Sequence, residues 1–436
     1  MKVLKFGGTS VGKPDRMHSI ARLIAGTDRK LVVLSAVSGT TNALVAIAAA
    51  LTEGNHNQGA VLIDALFTPY HEFVAQLYTS TEAKNKGEAI INKHCTHVKS
   101  YVGKSFGEKE TKELLAEGEL ISTALFQEYL LEIKYNSVLL PALEFMKIDD
   151  DNEPVHEYIE KMLSTEIAKY PDAQYFITQG FIAKNSKGEI DNLKRGGSDY
   201  TASLVGAAIR AEEIQIWTDI DGMHNNDPRI VKKTFPIAAL TFDEAAELAY
   251  FGAKILHPST ILPAKKHRIP VRLLNTMQPE AKGTVIADQT SDKDIKAIAA
   301  KDGITAIKIK SSRMLLAYGF LRRVFEIFEK YKTPIDMITT SEVAVSVTID
   351  DAKNLTAILE ELKSFCTVEV DADQTIVCVV GDFLEDKPGL VNKVFDALKN
   401  IPIRMISYGG SRNNVSLLIH TQHKNEALNA LNEGVF

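Results

Sequence analysis

Cysteine is scarce: Cys95, Cys366 and Cys378 are the only three in 436 residues, and they are far apart. That excludes a disulfide framework and fits reduced thiols in a cytoplasm. No apolar run reaches the length of a membrane-spanning helix. Lys5 stands where a secretory signal needs its apolar core, and no small-residue cleavage site follows. Positive charge is not in excess. Fifty basic against 56 acidic residues give a formal net charge of -6, which argues against nucleic acid as the main partner. His94-Cys95-Thr96-His97 lacks the second ligand pair of a metal site and is expected to be the solvated face of a helix; no resident metal is expected. No Cys–His or Ser–His–Asp nucleophile signature is present. What remains, 45% hydrophobic and 24% charged, is an ordinary globular composition with length for two or three domains.

The most informative stretch is the first. A short apolar strand containing Val3, Leu4 and Phe6 runs into Gly7-Gly8-Thr9-Ser10. Lys5 lies inside that strand, where a charge is costly without a partner. Two glycines let a backbone approach a ligand and turn N–H groups toward an anion. Pro14 suits the first turn of a helix, and Met17, Ile20, Leu23 and Ile24 give it an apolar face. Strand, glycine turn, lysine and helix start together predict a phosphate site. It is not the common P-loop, because the lysine precedes the glycines.

Further strands are predicted at 31–35, 176–181 and 214–218, with a helix over 43–52 and a polar, irregular, peripheral helical bundle over 54–116. Strands alternating with helices imply a mainly parallel sheet covered on both faces. Ligands then bind beyond the carboxyl ends of the strands, where Ser35, Gly180 and Thr218 fall. Near residue 285 the character changes, and Asp288 to Asp294 reads as a linker. Beyond it the chain repeats. Gly319-Phe-Leu-Arg-Arg-Val-Phe325 matches Gly389-Leu-Val-Asn-Lys-Val-Phe395, and Pro334-Ile-Asp-Met-Ile338 matches Pro402-Ile-Arg-Met-Ile406. Each copy reads as a small α+β unit of ferredoxin type. The predicted division is 1–287, 288–371 and 372–436.

Two more clusters carry chemistry. Arg195-Gly-Gly-Ser-Asp-Tyr-Thr201 is a second glycine-rich helix start beside a guanidinium suited to a carboxylate. The alternative is a capped helix after a hairpin, with Asp199 in its first turn. Trp217-Thr-Asp219 leads into a loop closed by Asp227-Pro-Arg229, which could hold a nucleotide or be an ordinary surface loop. Phe251-Gly-Ala-Lys254 adds a lysine among small residues. Glu117-Gly-Glu119 is read as the opening turn of an apolar helix, where carboxylates are commonly dipole partners. Two anion sites, lysines and a carboxylate-binding arginine point to phosphoryl transfer onto a carboxylate. A carboxylate is already ionised at pH 7, so no general base is required. The work is electrostatic and positional.

These motifs, with Gly118-Glu-Leu-Ile-Ser122 and Gln179-Gly-Phe181, resemble the signature set of the aspartokinase family across essentially the whole chain. The repeated half resembles its two ACT-type regulatory modules. The expected fold is therefore an amino-acid-kinase α/β domain followed by two α+β modules. With no dinucleotide-binding region before Phe436, the chain is expected to be of the monofunctional kind. The resemblance implies ATP-dependent phosphorylation of the β-carboxylate of L-aspartate, the first step toward lysine, threonine and methionine. Magnesium would be bound mainly through the nucleotide. Lys5, Phe6, Gly7, Gly8, Thr218, Asp219, His224, Asp227, Arg229, Lys254 and Ile255 would line the nucleotide site. Ser35, Thr41, Glu119, Arg195 and Ser198 would hold aspartate, and Asp199 would organise the catalytic groups beside Lys5. His224 departs from the tyrosine that relatives often carry there.

The same resemblance implies an end-product effector on the first module. Met314, then Tyr318-Gly-Phe-Leu321 at a helix start, then Asp336 and Thr340-Ser-Glu342 form the expected site. Gly319 and the N-terminus before Phe320 suit an α-carboxylate. Asp336 and Glu342 suit an ammonium and a cationic side chain. L-lysine is the expected effector, with threonine second, in a cytoplasmic homo-oligomer joined through the modules. The competing readings are another carboxylate kinase of the same fold, which would lack the Arg195 and Glu119 motifs as they stand, and an amino-acid-sensing protein without catalysis, which the retained Lys5, Arg195 and Lys254 oppose.

Overall fold

The structure, a computed structural model, describes residues 1–193, 196–252, 256, 258–288, 294–311, 318–383 and 389–436. Along the chain come β1 (Lys2–Phe6), α1 (Pro14–Ile24), β2 (Lys30–Leu34), α2 (Thr40–Thr52), α3 (His56–Leu77), α4 (Thr81–Lys99) and α5 (Glu108–Glu132). Then follow β3 (Ser137–Leu139), α6 (His156–Ala168), β4 (Tyr175–Gln179), β5 (Ile182–Lys184), β6 (Ile190–Asn192), α7 (Gly197–Ala208) and β7 (Ile214–Thr218). Next are β8 (Ala239–Thr241), α8 (Phe242–Tyr250), α9 (Leu262–Lys266), β9 (Val271–Asn275) and β10 (Thr284–Ala287). The last stretch holds β11 (Ile295–Lys310), α10 (Phe320–Lys330), β12 (Ile338–Thr340), β13 (Ala344–Ile349), α11 (Leu355–Lys363), β14 (Thr367–Gly381), α12 (Leu390–Ala397), β15 (Met405–Tyr408), β16 (Asn414–His420) and α13 (Lys424–Val435).

The chain forms two compact units, Met1–Met223 with Leu256–Thr290, and His224–Ile255 with Ser291–Phe436. In the first, the sheet order is β3-β4-β2-β1-β7-β9-β10, parallel except for β10. Strand alternation separates the two faces of β1. Leu4 and Phe6 join Val32, Leu34 and Ile177 in one core with α1, α2, α3 and α5. Val3 and Lys5 therefore point to the other face, and α7 supplies Asp199 there. Pro14 opens α1 as expected, and Met17, Ile20, Ala21 and Ile24 are its buried face.

Residues 54–116 are neither irregular nor peripheral. They form α3, α4 and the start of α5, and Ile63, Phe67, Tyr70, Val74, Ile91 and Leu114 belong to the main core. Their polar composition comes from long helices with one buried stripe, which leaves most positions in water. His94 departs from the solvated-face expectation for the same reason. α4 packs on α5, and His94 Nδ1 meets the buried Glu117 carboxylate at 2.5 Å.

In the second unit one six-stranded sheet runs β12-β13-β11-β14-β16-β15, antiparallel throughout. β11 and β14 pair along most of their length, with register shifts between Lys301 and Ala306. On one side of that irregularity Ile307, Ile309, Val345 and Val347 form a core under α10 and α11. On the other, Ile295, Ile298, Val377, Val379, Val415 and Leu417 form a second core with α12 and α13. The expected boundary at 371/372 thus falls inside the single strand β14. Among its described residues, 372–436 holds only three strands, too few for a four-stranded module. The fourth is the start of β11, so the first module is inserted into the second. Residues 224–255, expected within the catalytic region, cluster with this unit.

Candidate active and effector sites

Gly7, Ser35, Gly180 and Thr218 follow or end β1, β2, β4 and β7. These four parallel strands are consecutive in the sheet, so the four residues share one edge. Sheets of this kind bind ligands there, where strand order reverses. Lys5 sits on β1, two residues before Gly7, and is 9% exposed. Its ammonium lies 2.6 Å from Asp199 Oδ1, in the first turn of α7. The charge expected to need a partner has one.

The glycine turn is more committed than expected. Gly7 N–H donates to the Trp217 carbonyl at 3.2 Å, and the Gly7 carbonyl accepts from Ser10 and Val11. The β1–β7 ladder simply continues one rung past Phe6, so this N–H is not directed at an anion. Gly8 accepts from Ser38 N–H at 3.1 Å. Phe6 stacks on Trp217 with ring centroids 5.8 Å apart. Ser10 Oγ lies 2.6 Å from Thr276 Oγ1, which ties the turn to the end of β9.

Glu117 and Glu119 are not in a first turn. α5 begins nine residues before Glu117, at Glu108, so both acids are mid-helix and buried. Gly118 permits this, because a Cβ there would lie 2.7 Å from the Ala36 Cβ. Glu119 Oε1 accepts from Ala36 N–H at 3.1 Å. Its Oε2 is buried and accepts no hydrogen bond among the described residues. Burial pushes the Glu119 carboxyl up to about 8, against the opposing pull of the Ala36 N–H and the nearby Lys5 charge. An orphaned carboxylate oxygen of this kind suits an incoming ammonium.

Thr41 is exposed in the first turn of α2. Beside it Thr40 Oγ1 meets the Tyr70 hydroxyl at 2.7 Å, and burial holds that phenol up at about 12. The two line a cavity of about 360 Å³ with Gly12, Ser38, Leu66 and Phe73. Ser198 packs directly over Gly180, where a Cβ would lie 2.5 Å from the serine Oγ. The Ser35 carbonyl accepts from Ser122 at 2.8 Å.

Of the residues expected around the nucleotide, Thr218 Oγ1 donates to Asp219 at 3.1 Å. In the second unit His224 Nδ1 lies 3.0 Å from Thr234 Oγ1. Asp227 and Arg229 form a fork of two hydrogen bonds, 2.9 and 2.7 Å. That hydrogen bonding holds the Asp227 carboxyl below its ordinary range. Arg195, Lys254, Ile255 and Met314 lie outside the described residues. Among those described, no group of three or more His, Cys, Asp and Glu side chains could hold a metal ion.

In the first module Gly319 precedes α10, and Phe320 meets Phe365 edge-on at 5.9 Å. Tyr318 and Leu321 are exposed. Thr340 ends β12, and Ser341 N–H donates to Ala344 at 2.8 Å. Asp336 and Glu342 are not a like pair. Glu342 is exposed, whereas the Asp336 side chain is 1% exposed. Asp336 Oδ1 accepts from Lys301 Nζ and from the Tyr250 hydroxyl, both at 2.8 Å. Its Oδ2 is buried with no hydrogen bond among the described residues. Tyr70, Tyr250 and Lys301 were not legible as site residues. Each meets its partner across a long sequence separation, and none lies in a motif.

The amino acid kinase family model matches residues 1–275, and an ACT domain model matches residues 377–435. Lysine-sensitive aspartokinase 3 of Escherichia coli is 34% identical over 447 residues, spanning 100% of this chain and 99% of that protein. E. coli aspartokinase III solved with aspartate and ADP in its R-state matches with a TM-score of 0.85 over all of both chains, at 34% identity. The same enzyme solved with lysine and aspartate in its T-state matches with a TM-score of 0.81 at the same identity, over 100% of this chain and 99% of that one.

Proposed function

The chain belongs to the amino acid kinase family and, within it, to the aspartokinases, and on that premise we propose that it transfers the γ-phosphoryl group of ATP to the β-carboxylate of L-aspartate and is inhibited by L-lysine. The observation that carries the transfer is the meeting of Lys5, Asp199 and Glu119 at one sheet edge. Lys5 is held by Asp199 and close enough to oppose the shift of the Glu119 carboxyl. One site thus presents a fixed cation for phosphoryl charge and an unsatisfied carboxyl that, once ionised, pairs with an amino acid's ammonium.

The substrate carboxylate is its own nucleophile, so the protein positions and stabilises rather than removes a proton. Glu119 takes the α-ammonium, Arg195 the α-carboxylate, and Ser198 and Thr41 the remaining oxygens. Lys5 neutralises charge that grows on the transferring group, and Asp199 keeps that ammonium aimed. Thr218, Asp219, His224, Asp227, Arg229 and Lys254 serve the nucleotide. Magnesium, carried by the nucleotide, supplies further neutralisation of phosphate charge.

The repeated modules sense lysine. Buried Asp336, with one oxygen unsatisfied, supports an ammonium site on the first module. Ile338, Val343, Ile406 and Tyr408, on or beside the edge strands, are exposed, which supports association of copies through the modules. Catalysis belongs to the kinase region, residues 1–287, and control to the two modules after it. Among the described residues no helix is long and apolar enough to cross a membrane, and the three free thiols suit a cytoplasmic setting.

The test is direct. The protein is mixed with ATP, magnesium and L-aspartate, and the acyl phosphate is trapped with hydroxylamine. Aspartyl hydroxamate is expected; preferred turnover of glutamate or N-acetylglutamate would overturn the substrate assignment. Lysine and threonine are then titrated separately, and a stronger threonine effect would overturn the effector assignment.

A further inference from the structure

α8 ends at Tyr250, and the chain runs on through Phe251 and Gly252 toward Lys254. Tyr250 is half exposed on its outer side, yet its hydroxyl reaches the buried Asp336 carboxylate at 2.8 Å. The same carboxylate oxygen accepts from Lys301 at 2.8 Å. Lys301 also pairs with Asp350 at 2.8 Å and lies 4.4 Å from the centre of the Tyr250 ring. Burial, reinforced by the Asp336 hydrogen bond, raises the Tyr250 phenol, so it stays a hydrogen donor at physiological pH. Gly252 is seated on β11 one residue from Lys301: a Cβ at Gly252 would collide with the Ala300 carbonyl. The tyrosine, the lysine and the glycine contact all belong to the second compact unit.

Asp336 Oδ1 is fully engaged while Oδ2 is buried and unsatisfied. An ammonium arriving at Oδ2 shares the carboxylate charge that now serves Lys301 and Tyr250. It therefore weakens or re-aims the hydrogen bond that fixes the end of α8. α8 is held elsewhere too, at Glu247 by Ser411 at 2.8 Å, but among the described residues the Tyr250 contact is the hydrogen bond of α8 that touches the proposed effector carboxylate. From these contacts we infer that the Tyr250 hydroxyl is the positioning group that reports occupancy of Asp336 to the segment leading to Lys254. The inference rests on the proposed lysine site and adds the link between that site and the end of α8.

The experiment uses full-length Tyr250→Phe, which deletes one oxygen and keeps the ring. Tyr331→Phe, whose hydroxyl bonds Glu361 in the same module, is the control. Lysine binding is measured by calorimetry, with and without ADP, magnesium and aspartate, and inhibition is measured relative to each variant's own uninhibited rate. A coupling residue carries a reciprocal effect between two ligands. In Tyr250→Phe, lysine should still bind, within about threefold of the parent, while half-inhibition moves up at least about tenfold. The change in lysine affinity caused by the substrate-site ligands should shrink toward one. Tyr331→Phe should behave as the parent. Parent-like inhibition of Tyr250→Phe overturns the inference. So does loss of lysine binding together with inhibition, which makes Tyr250 a binding residue only. If the parent itself binds no lysine, the effector reading fails first, and this inference with it.

Discussion

The Lys5 ammonium and the Asp199 carboxylate meet at 2.6 Å, one from the first strand of the chain and the other from the first turn of α7. The pair is largely shielded from water, so each charge depends on the other and on the anion that completes the site. This contact joins the two glycine-rich motifs into one site, the proposed catalytic centre.

Lys5→Ala and Arg195→Ala should fail differently. Lys5 is proposed to act on charge that appears in the transition state, so its loss should lower kcat by an amount on the order of 3–4 kcal/mol in barrier. Arg195 is proposed to bind aspartate in both ground and transition states, so its loss should chiefly raise the aspartate KM. Steady-state kinetics of the two variants check this; a Lys5 variant altered only in aspartate KM would reverse the roles.

Glu119 should give aspartate binding a basic limb. Its carboxyl is pushed up to about 8, and only the ionised form pairs with an ammonium. The aspartate KM should therefore fall, about tenfold, as pH rises from 7 through 9. Without substrate the sign reverses. Between the ordinary carboxylate value and about 8 the folded chain keeps a proton that the unfolded chain has released. This group's stability contribution is thus full at low pH and lost as pH rises through that window. Glu119→Gln should flatten both profiles, read by kinetics and by thermal unfolding.

Gly180→Ala should act on the substrate through Ser198. The added methyl would lie 2.5 Å from the Ser198 Oγ, so the serine or its helix must shift. Overpacking of this kind costs about 1–3 kcal/mol. A lower melting temperature and a raised aspartate KM are expected, with ATP KM changed less.

Trp217 is the single tryptophan, stacked on Phe6 and joined through its carbonyl to Gly7. Its emission should respond to ADP in a saturable way, and Lys5→Ala should weaken that response. Titration fluorimetry measures both.

Asp336→Asn should relieve lysine inhibition and leave the uninhibited reaction catalysed. The amide keeps the shape but removes the charge that Lys301 and an ammonium require. An inactive, unfolded variant would assign Asp336 to structure instead, and circular dichroism distinguishes the two.

The motifs themselves were legible in the chain. Strand, glycine turn and lysine are local features, and Pro14 acts through constraints set within a few residues, whereas Gly118 and Gly180 are small because distant Ala36 and Ser198 pack against them. The repeat of Gly319 to Phe325 in Gly389 to Phe395 likewise announced two modules. Burial and pairing were decided by tertiary structure. Glu119 looked like a helix-start acid, because nothing in its neighbourhood tells that α5 reaches back to Glu108. Asp336 read as one of a like acidic pair with Glu342, and nothing near it in sequence told that Lys301 and Tyr250 close over it. The division of the modules is also tertiary. The first half of β11 pairs with β14 across more than seventy residues of chain, and only that ladder shows that the second module borrows its fourth strand from before the first. Local pattern is written by steric and hydrophobic preferences of neighbouring residues; whether a charge is buried, and against what, depends on which distant segment packs over it.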